Sequence, residues 1–215
     1  MESSYKAVIY DCDGVMFDSF DANVAFYDRI MSMMGKPSLD RRDEEQMRIL
    51  HTYANREVLR YFFPDEVTWG EAVRAASRID YRELVPFLCM EEGFRDTLEA
   101  LAPRVALAVC TNRSTSMDMV LESFDLARFF GIVMTAARVE NPKPHPEPLL
   151  KVLEHYGIAP AQALFVGDSE VDRQAAAAAG VPFVAYKADL SAFARIDRHG
   201  EILTLLSGSS AVPPR

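Results

Sequence analysis

Residues 7–14 read Ala-Val-Ile-Tyr-Asp-Cys-Asp-Gly: a short apolar run, two acids either side of a cysteine, and a glycine. A run of this length stopped by a turn-forming Asp-Gly pair reads as a buried strand that ends in a turn. Four further runs have the same character, at residues 105–110, 131–135, 163–166 and 182–186. None alternates strictly between apolar and polar, which is the pattern of strands covered on both faces, as in a parallel sheet under helices.

Helical patterns lie between these runs. Leu149, Val152, Leu153 and Tyr156 share one face, Pro148 suits a first turn, and Gly157 suits a C-terminal cap. Residues 170–179 contain a run of alanines and stop at Gly180. Strands alternating with helices predict an α/β, Rossmann-like doubly wound parallel sheet. Residues 18–88 break the alternation. They show no convincing strand, and Val24, Tyr27, Ile30, Met31 and Met34 share a helical face. Two more helical regions are expected at about 39–62, broken near His51-Thr52, and at about 66–84. The expected organisation is a catalytic core at 1–17 and 88–206, an inserted all-helical cap at 18–87, and a flexible tail at 207–215.

Composition narrows the function. The 215 residues are 49% hydrophobic and 26% charged, so the chain can bury a core and should be globular. A net charge of −9 has the wrong sign for nucleic acid or an anionic membrane surface. No apolar run approaches the roughly 18–20 residues of a membrane span, and the first ten residues carry no signal-peptide pattern. Cys12, Cys89 and Cys110 have neither even number nor metal-ligand spacing. Reduced thiols in a cytoplasmic protein, a monomer or homodimer, are expected.

Four groups carry candidate chemistry, each directly after an apolar run or in a stiff loop. Asp11 and Asp13 come first. Asp13-Gly14 alone would be an ordinary turn, but Asp11 ends a strand, where α/β sheets bind ligands. Thr111, Asn112 and Arg113 follow the run at 105–110. Thr and Asn are favoured helix caps, and the same hydroxyl and backbone N–H groups can hold a phosphate or carboxylate. Lys143 lies among prolines 142, 144, 146 and 148, and a cation held rigidly in so acidic a chain stands out. His145 beside it reads as a loop residue. Asp168 follows the run at 163–166, and Asp172 lies one helical turn further on, so both can face one crevice. Glu170 reads as a charge complementing the helix dipole. Oxygen ligands from Asp11, Asp168 and a carbonyl suit Mg²⁺, and no His or Cys cluster offers a softer metal a home.

Asp11-x-Asp13-Gly14-Val15, Thr111-Asn112, Lys143-Pro144 and Gly167-Asp168-x-x-x-Asp172 together resemble the four ordered motifs of the haloacid dehalogenase superfamily. The likeness runs from residue 7 to about 186. The insert is similar to the helical cap of the phosphoglycolate phosphatase and β-phosphoglucomutase branch, and Asp18-Ser19, soon after the first motif, also resembles that branch. The resemblance implies a small phosphomonoester substrate and an aspartyl-phosphate on Asp11. Asp13 would protonate the leaving oxygen and then activate water. Asp11, the Asp13 carbonyl and Asp168 would bind Mg²⁺, with Asp172 acting directly or through water. Thr111, the Asn112 backbone N–H and Lys143 would hold the phosphoryl oxygens. An acid at 13 argues for an oxygen leaving group, since halide needs no proton.

Two positions depart from the family pattern. Cys89-Met90-Glu91-Glu92-Gly93 occupies the return from the insert, where relatives often have Pro-Gly, and Arg113 stands where they often carry Lys. Arg113 either reaches a second anionic group of the substrate or sits on the surface. Lys36, in an expected loop, is the insert's single lysine, which gives Schiff-base chemistry no support. His51, Tyr53, Asn55 and the insert's arginines are candidates for reading the leaving group. Two alternatives remain: a sugar phosphomutase of the same branch, and a non-enzymatic receiver-like phospho-switch, against which the insert and the Asp168/Asp172 pair both count.

Overall fold

The computed structural model describes residues 5–207. The chain enters through strand β1 (Ala7–Tyr10). After a tight turn come the two-residue strand β2 (Phe17–Asp18) and the helices α1 (Phe20–Met33), α2 (Glu44–Thr52), α3 (Asn55–Phe62) and α4 (Glu66–Ala76). Two short 3₁₀ turns, Tyr81–Glu83 and Val85–Phe87, lead to β3 (Cys89–Met90). From there α5 (Phe94–Leu101), β4 (Ala106–Thr111), α6 (Met117–Ser123), β5 (Ile132–Thr135), α7 (Glu147–Tyr156), β6 (Ala163–Gly167), α8 (Glu170–Ala179), β7 (Phe183–Tyr186), β8 (Ala194–Ile196) and α9 (Ile202–Leu206) follow.

Six strands form one parallel sheet in the order β5-β4-β1-β6-β7-β8, with helices on both faces. β1 is central: Ala7 is in register with both Ala106 and Ala163. The apolar runs lack alternation because both faces of the sheet are buried. Val8, Tyr10, Leu107, Val109, Leu164 and Val166 point into the core shared with α5 and α6. Ala7, Ile9, Ala108, Cys110, Ala163 and Phe165 point into the core shared with α7 and α8. Gly157 and Gly180 end α7 and α8 in left-handed conformation, as their positions predicted.

The helices α1–α4 bury a separate apolar cluster, including Val24, Tyr27, Ile30, Leu50, Leu59 and Ala72. The expected break falls between α2 and α3, and α4 stops at Ala76, eight residues before the expected end at 84. Asp80 caps the 3₁₀ turn that follows, its side chain accepting from the Arg82 N–H.

Two features differ from expectation. β2 and β3 form a short antiparallel ribbon, Phe17 opposite Met90 and Asp18 opposite Cys89, so the chain leaves for the helices and returns side by side. β8 is a sixth sheet strand. Of the expected tail, 207–215, all but Ser207 lies outside the described residues. No helix among the described residues is long and apolar enough to cross a membrane.

Candidate active site

β1, β4 and β6 run parallel, so their C-terminal ends deliver Asp11, Thr111 and Asp168 to one rim of the sheet. Asp11 is fixed at once by its own turn: its Oδ1 accepts the Cys12 N–H at 2.7 Å. The turn then closes on itself, with the Met16 and Phe17 N–H groups donating to the Cys12 carbonyl. Gly14, at φ +74°, passes directly against Asp168, and a Cβ there would stand 2.0 Å from Asp168 Oδ2.

Lys143 enters from the loop before α7 and is 2% exposed. Its Nζ lies 2.9 Å from Asp11 Oδ1 and 2.6 Å from Asp172 Oδ1. Asp172 is fully buried, and its other oxygen accepts from the Ser169 N–H and hydroxyl. The Ser169 hydroxyl in turn accepts the Asp172 N–H, a reciprocal cap on the first turn of α8. Asp172 therefore holds Lys143 in place, with both its oxygens already engaged.

The electrostatics of this cluster are unbalanced. Burial alone would lower the Lys143 pKa, but Asp11 and Asp172 reverse that and raise it, so it stays an ammonium. Burial and then the charge of Asp172 push Asp11 up to about 7, despite the opposing pull of Lys143. Burial, Asp172 and Asp11 push Asp168 up to about 8. Carboxylate oxygens of Asp11, Asp168 and Asp172 lie within 4.8 Å of one another. Hard oxygen donors that repel each other this strongly fit a divalent cation of the Mg²⁺ type. Asp11 and Asp168 would hold it.

Asp13 stands in a different pairing. Arg113 Nη2 lies 2.5 Å from Asp13 Oδ1, and Arg113 Nε donates to Asp13 Oδ2 at 2.9 Å. Burial would raise the Asp13 pKa, but the charge and hydrogen bonds of Arg113 outweigh it and hold the group below the usual carboxylate range. Of the two readings of Arg113, the surface position is overturned, because the residue is 9% exposed. Tyr81 takes a further hydrogen bond from the guanidinium, and its ring lies 5.0 Å beneath it. The Thr111 hydroxyl accepts the Arg113 N–H at 3.1 Å. The Asn112 side chain donates to the Lys143 carbonyl at 3.0 Å and to that of Thr52 at 3.4 Å, tying the core loops to α2.

Asp11, Asp13, Thr111, Asn112, Arg113, Lys143, Asp168 and Ser169 line one cavity of about 710 Å³ between the sheet rim and α1–α4, which His51, Tyr53, Asn55 and Tyr81 also line, whereas Asp172 does not. Reading the sequence missed Ser169 and Tyr81. Ser169 carries a local signal, Ser-x-x-Asp ahead of a helix. Tyr81 carries none, since its partner lies 32 positions away.

The family model for haloacid dehalogenase-like hydrolases matches residues 8–186. A crystal structure of a HAD-superfamily hydrolase, subfamily IA, variant 1, from Geobacter sulfurreducens PCA is 71% identical. It covers 95% of this chain and 97% of its own, with a TM-score of 0.77. The phosphoglycolate phosphatase of Escherichia coli (strain K12) is 41% identical over 155 residues, 70% of this chain and 53% of the relative. The chain thus spans about half the length of the curated relatives it matches. A proposed β-phosphoglucomutase from Thermotoga maritima is 25% identical, covering 94% of this chain and 98% of its own, with a TM-score of 0.69.

Proposed function

Because the chain belongs to the haloacid dehalogenase-like hydrolase family, we propose that it is a Mg²⁺-dependent phosphatase that hydrolyses a small phosphomonoester through Asp11. The observation that carries this is the buried chain Asp11–Lys143–Asp172 beside Asp168, a nucleophile, a fixed cation and an acidic pair at one rim of the sheet. The likeness to phosphoglycolate phosphatases supports a small, carboxylated substrate. The helical insert serves as the cap, closing the cavity from above, and the free buried Cys12 and Cys110 fit a reduced, cytoplasmic setting.

In this reading an Asp11 carboxylate oxygen attacks phosphorus, and the bond from phosphorus to the ester oxygen breaks. Asp13, ionised beside Arg113 in the resting site, takes up a proton when that pair opens and gives it to the departing oxygen. The resulting aspartyl-phosphate is then opened by a water from which Asp13 takes a proton. Lys143, the Thr111 hydroxyl and the Asn112 backbone N–H hold the phosphoryl oxygens. A bound Mg²⁺ supplies the remaining neutralisation that lets a carboxylate approach a phosphate dianion. Lys143 cannot swing away, because Asp172 grips it from below. Catalysis is then mainly positioning and charge stabilisation on a prebuilt frame.

Phosphate release from a panel of small phosphomonoesters, with and without Mg²⁺, tests this. Asp11→Asn should lower kcat by at least about a thousandfold while the protein keeps its fold. Turnover surviving in that variant would sink the proposal. Conversion of a hexose 1-phosphate to its 6-phosphate, given catalytic bisphosphate, would show that the aspartyl-phosphate passes to a sugar instead of water.

A further inference from the structure

We propose that the cavity holds an apolar subsite, built from the insert, that takes an extended apolar body on the leaving group. The inference rests on the phosphatase reading above and concerns the part of the leaving group beyond its first carbons.

Two kinds of surface meet in this one cavity. The charged groups come from the rim of the sheet and the loop before α7. Phe26 of α1, Tyr53 after α2, Trp69, Val73 and Ala76 of α4, and Ile79 beyond it line the same space from the insert, and none of them carries a charge. At about 710 Å³ the cavity falls in the upper half of the range, roughly 300–1,000 Å³, in which sites enclose a whole drug-sized ligand. A phosphoryl group with two or three carbons fills a small part of that. Val73 is 38% exposed, a large aliphatic side chain left to water in the wall of a binding cavity. Apolar atoms of a ligand laid against it would release that water, which is favourable roughly in proportion to the area covered.

The space is not a gap beneath an insert standing off the core. The Asn112 side chain already reaches the Thr52 carbonyl at the end of α2, and Arg113 already donates to the Tyr81 hydroxyl. The cavity persists with those contacts made. Its apolar wall is also held in place. Trp69 Nε1 donates to the Arg56 carbonyl at 3.4 Å, and the guanidinium carbons of Arg60 and Arg56 lie 4.2 Å and 4.8 Å from its ring. The competing account is that these side chains are the underside of a lid that presses down on a compact ester. That account excludes longer leaving groups, so rates stay flat or fall with chain length, whereas the subsite makes them rise.

The experiment compares kcat/KM for ethyl, butyl and hexyl phosphate with Mg²⁺ present. The alcohols they release are about equally basic, so the chemical step is the same along the series. The matching alkylphosphonates, which cannot be hydrolysed, are titrated in parallel through the fluorescence of Trp69, the chain's single tryptophan. In the wild type both kcat/KM and affinity should rise roughly two- to fourfold per added methylene, so hexyl exceeds ethyl by at least about tenfold. Val73→Ser, which removes apolar wall, and Val73→Phe, which takes up the space, should each lower the hexyl-to-ethyl ratio severalfold, with the fold checked by a native melting transition. The wild-type slope is a test in its own right, whether or not a variant folds. A flat or falling slope in the wild type overturns the proposal, as does an unchanged slope in both folded variants, which would put the chain elsewhere. Phosphate release with a flat slope removes this inference alone and leaves the phosphatase reading standing. A rising phosphonate affinity without release from any ester removes the phosphatase reading and leaves the apolar subsite.

Discussion

Gly14 lies where the turn after β1 meets the carboxylate of Asp168. Its φ of +74° is strained for any L side chain, and the space that a methyl group would need is taken by Asp168 Oδ2. Gly14→Ala should therefore act at two points: about 1 kcal/mol of backbone strain, and displacement of Asp168 from the acidic pair. The expected outcome is a small fall in melting temperature and a Mg²⁺ half-saturation for phosphate release raised at least about tenfold. An unchanged Mg²⁺ dependence would mean that Asp168 tolerates the shift and is not a ligand. At this scale the sequence was legible where a residue's surroundings are local. Asp11, Asp13, Thr111 and Asp168 each end or follow a strand, and parallel strands put such positions together automatically. The pairing of Arg113, itself a candidate in the sequence, was not legible, because its partner Asp13 lies 100 positions away and only the fold of the sheet makes them neighbours.

Elements follow the same division between local and distant causes. The five long runs were readable as strands because burial on both faces leaves a continuous apolar stretch. The ribbon of β2 and β3 has two residues per strand, too few for any period to show. β8, Ala194–Ile196, sits at the sheet edge with Arg195 exposed, and three residues with a charge in the middle do not announce a strand. The 3₁₀ turn His199–Glu201 after β8 depends on a contact of the same distant kind. His199 is fully buried, stacks on Tyr186 at 4.3 Å, and donates from Nε2 to the carbonyl of Val15 at 2.9 Å. It thereby pins the C-terminal segment to the turn that carries Asp11 and Asp13. Burial lowers its pKa to about 4, against the opposing effect of that hydrogen bond. The folded value is below the unfolded one of about 6.5. Its contribution is thus present above pH 6.5 and is lost as pH falls towards 4, by roughly 3 kcal/mol. His199→Gln keeps a donor for Val15 but cannot titrate. Denaturant unfolding across pH 4–7 should show a shallower acid-side decline in the variant, and parallel curves would refute the assignment.

The molecule as a whole carries nine more negative than positive charges and concentrates part of that excess where it is least screened, at the rim of the sheet under helices α1–α4. Among the described residues Lys143 is the single ammonium paired with this acidic cluster, and Arg113 is already committed to Asp13. The consequence for stability has the opposite sign to that of His199. Asp11 and Asp168 have folded pKa values of about 7 and about 8, above the roughly 4 of an unfolded carboxyl. Between about pH 4 and pH 8 the metal-free folded state holds protons that the unfolded chain has released, so its stability falls as pH rises. A divalent cation competes with those same protons. Its binding should be weak at pH 6, where both carboxyls are largely protonated, and strong at pH 8.5, where they are charged and repel each other. Mg²⁺ is thus expected to raise the melting temperature more at pH 8.5 than at pH 6, with an apparent Kd at least about tenfold weaker at the lower pH. Chelation should reverse the gain, and Asp168→Asn should remove most of it at either pH. Thermal melts with Mg²⁺ and with chelator at the two pH values decide the matter. Equal shifts at both would show that the cation binds somewhere other than this acidic rim, and the electrostatic account of the site would have to be abandoned.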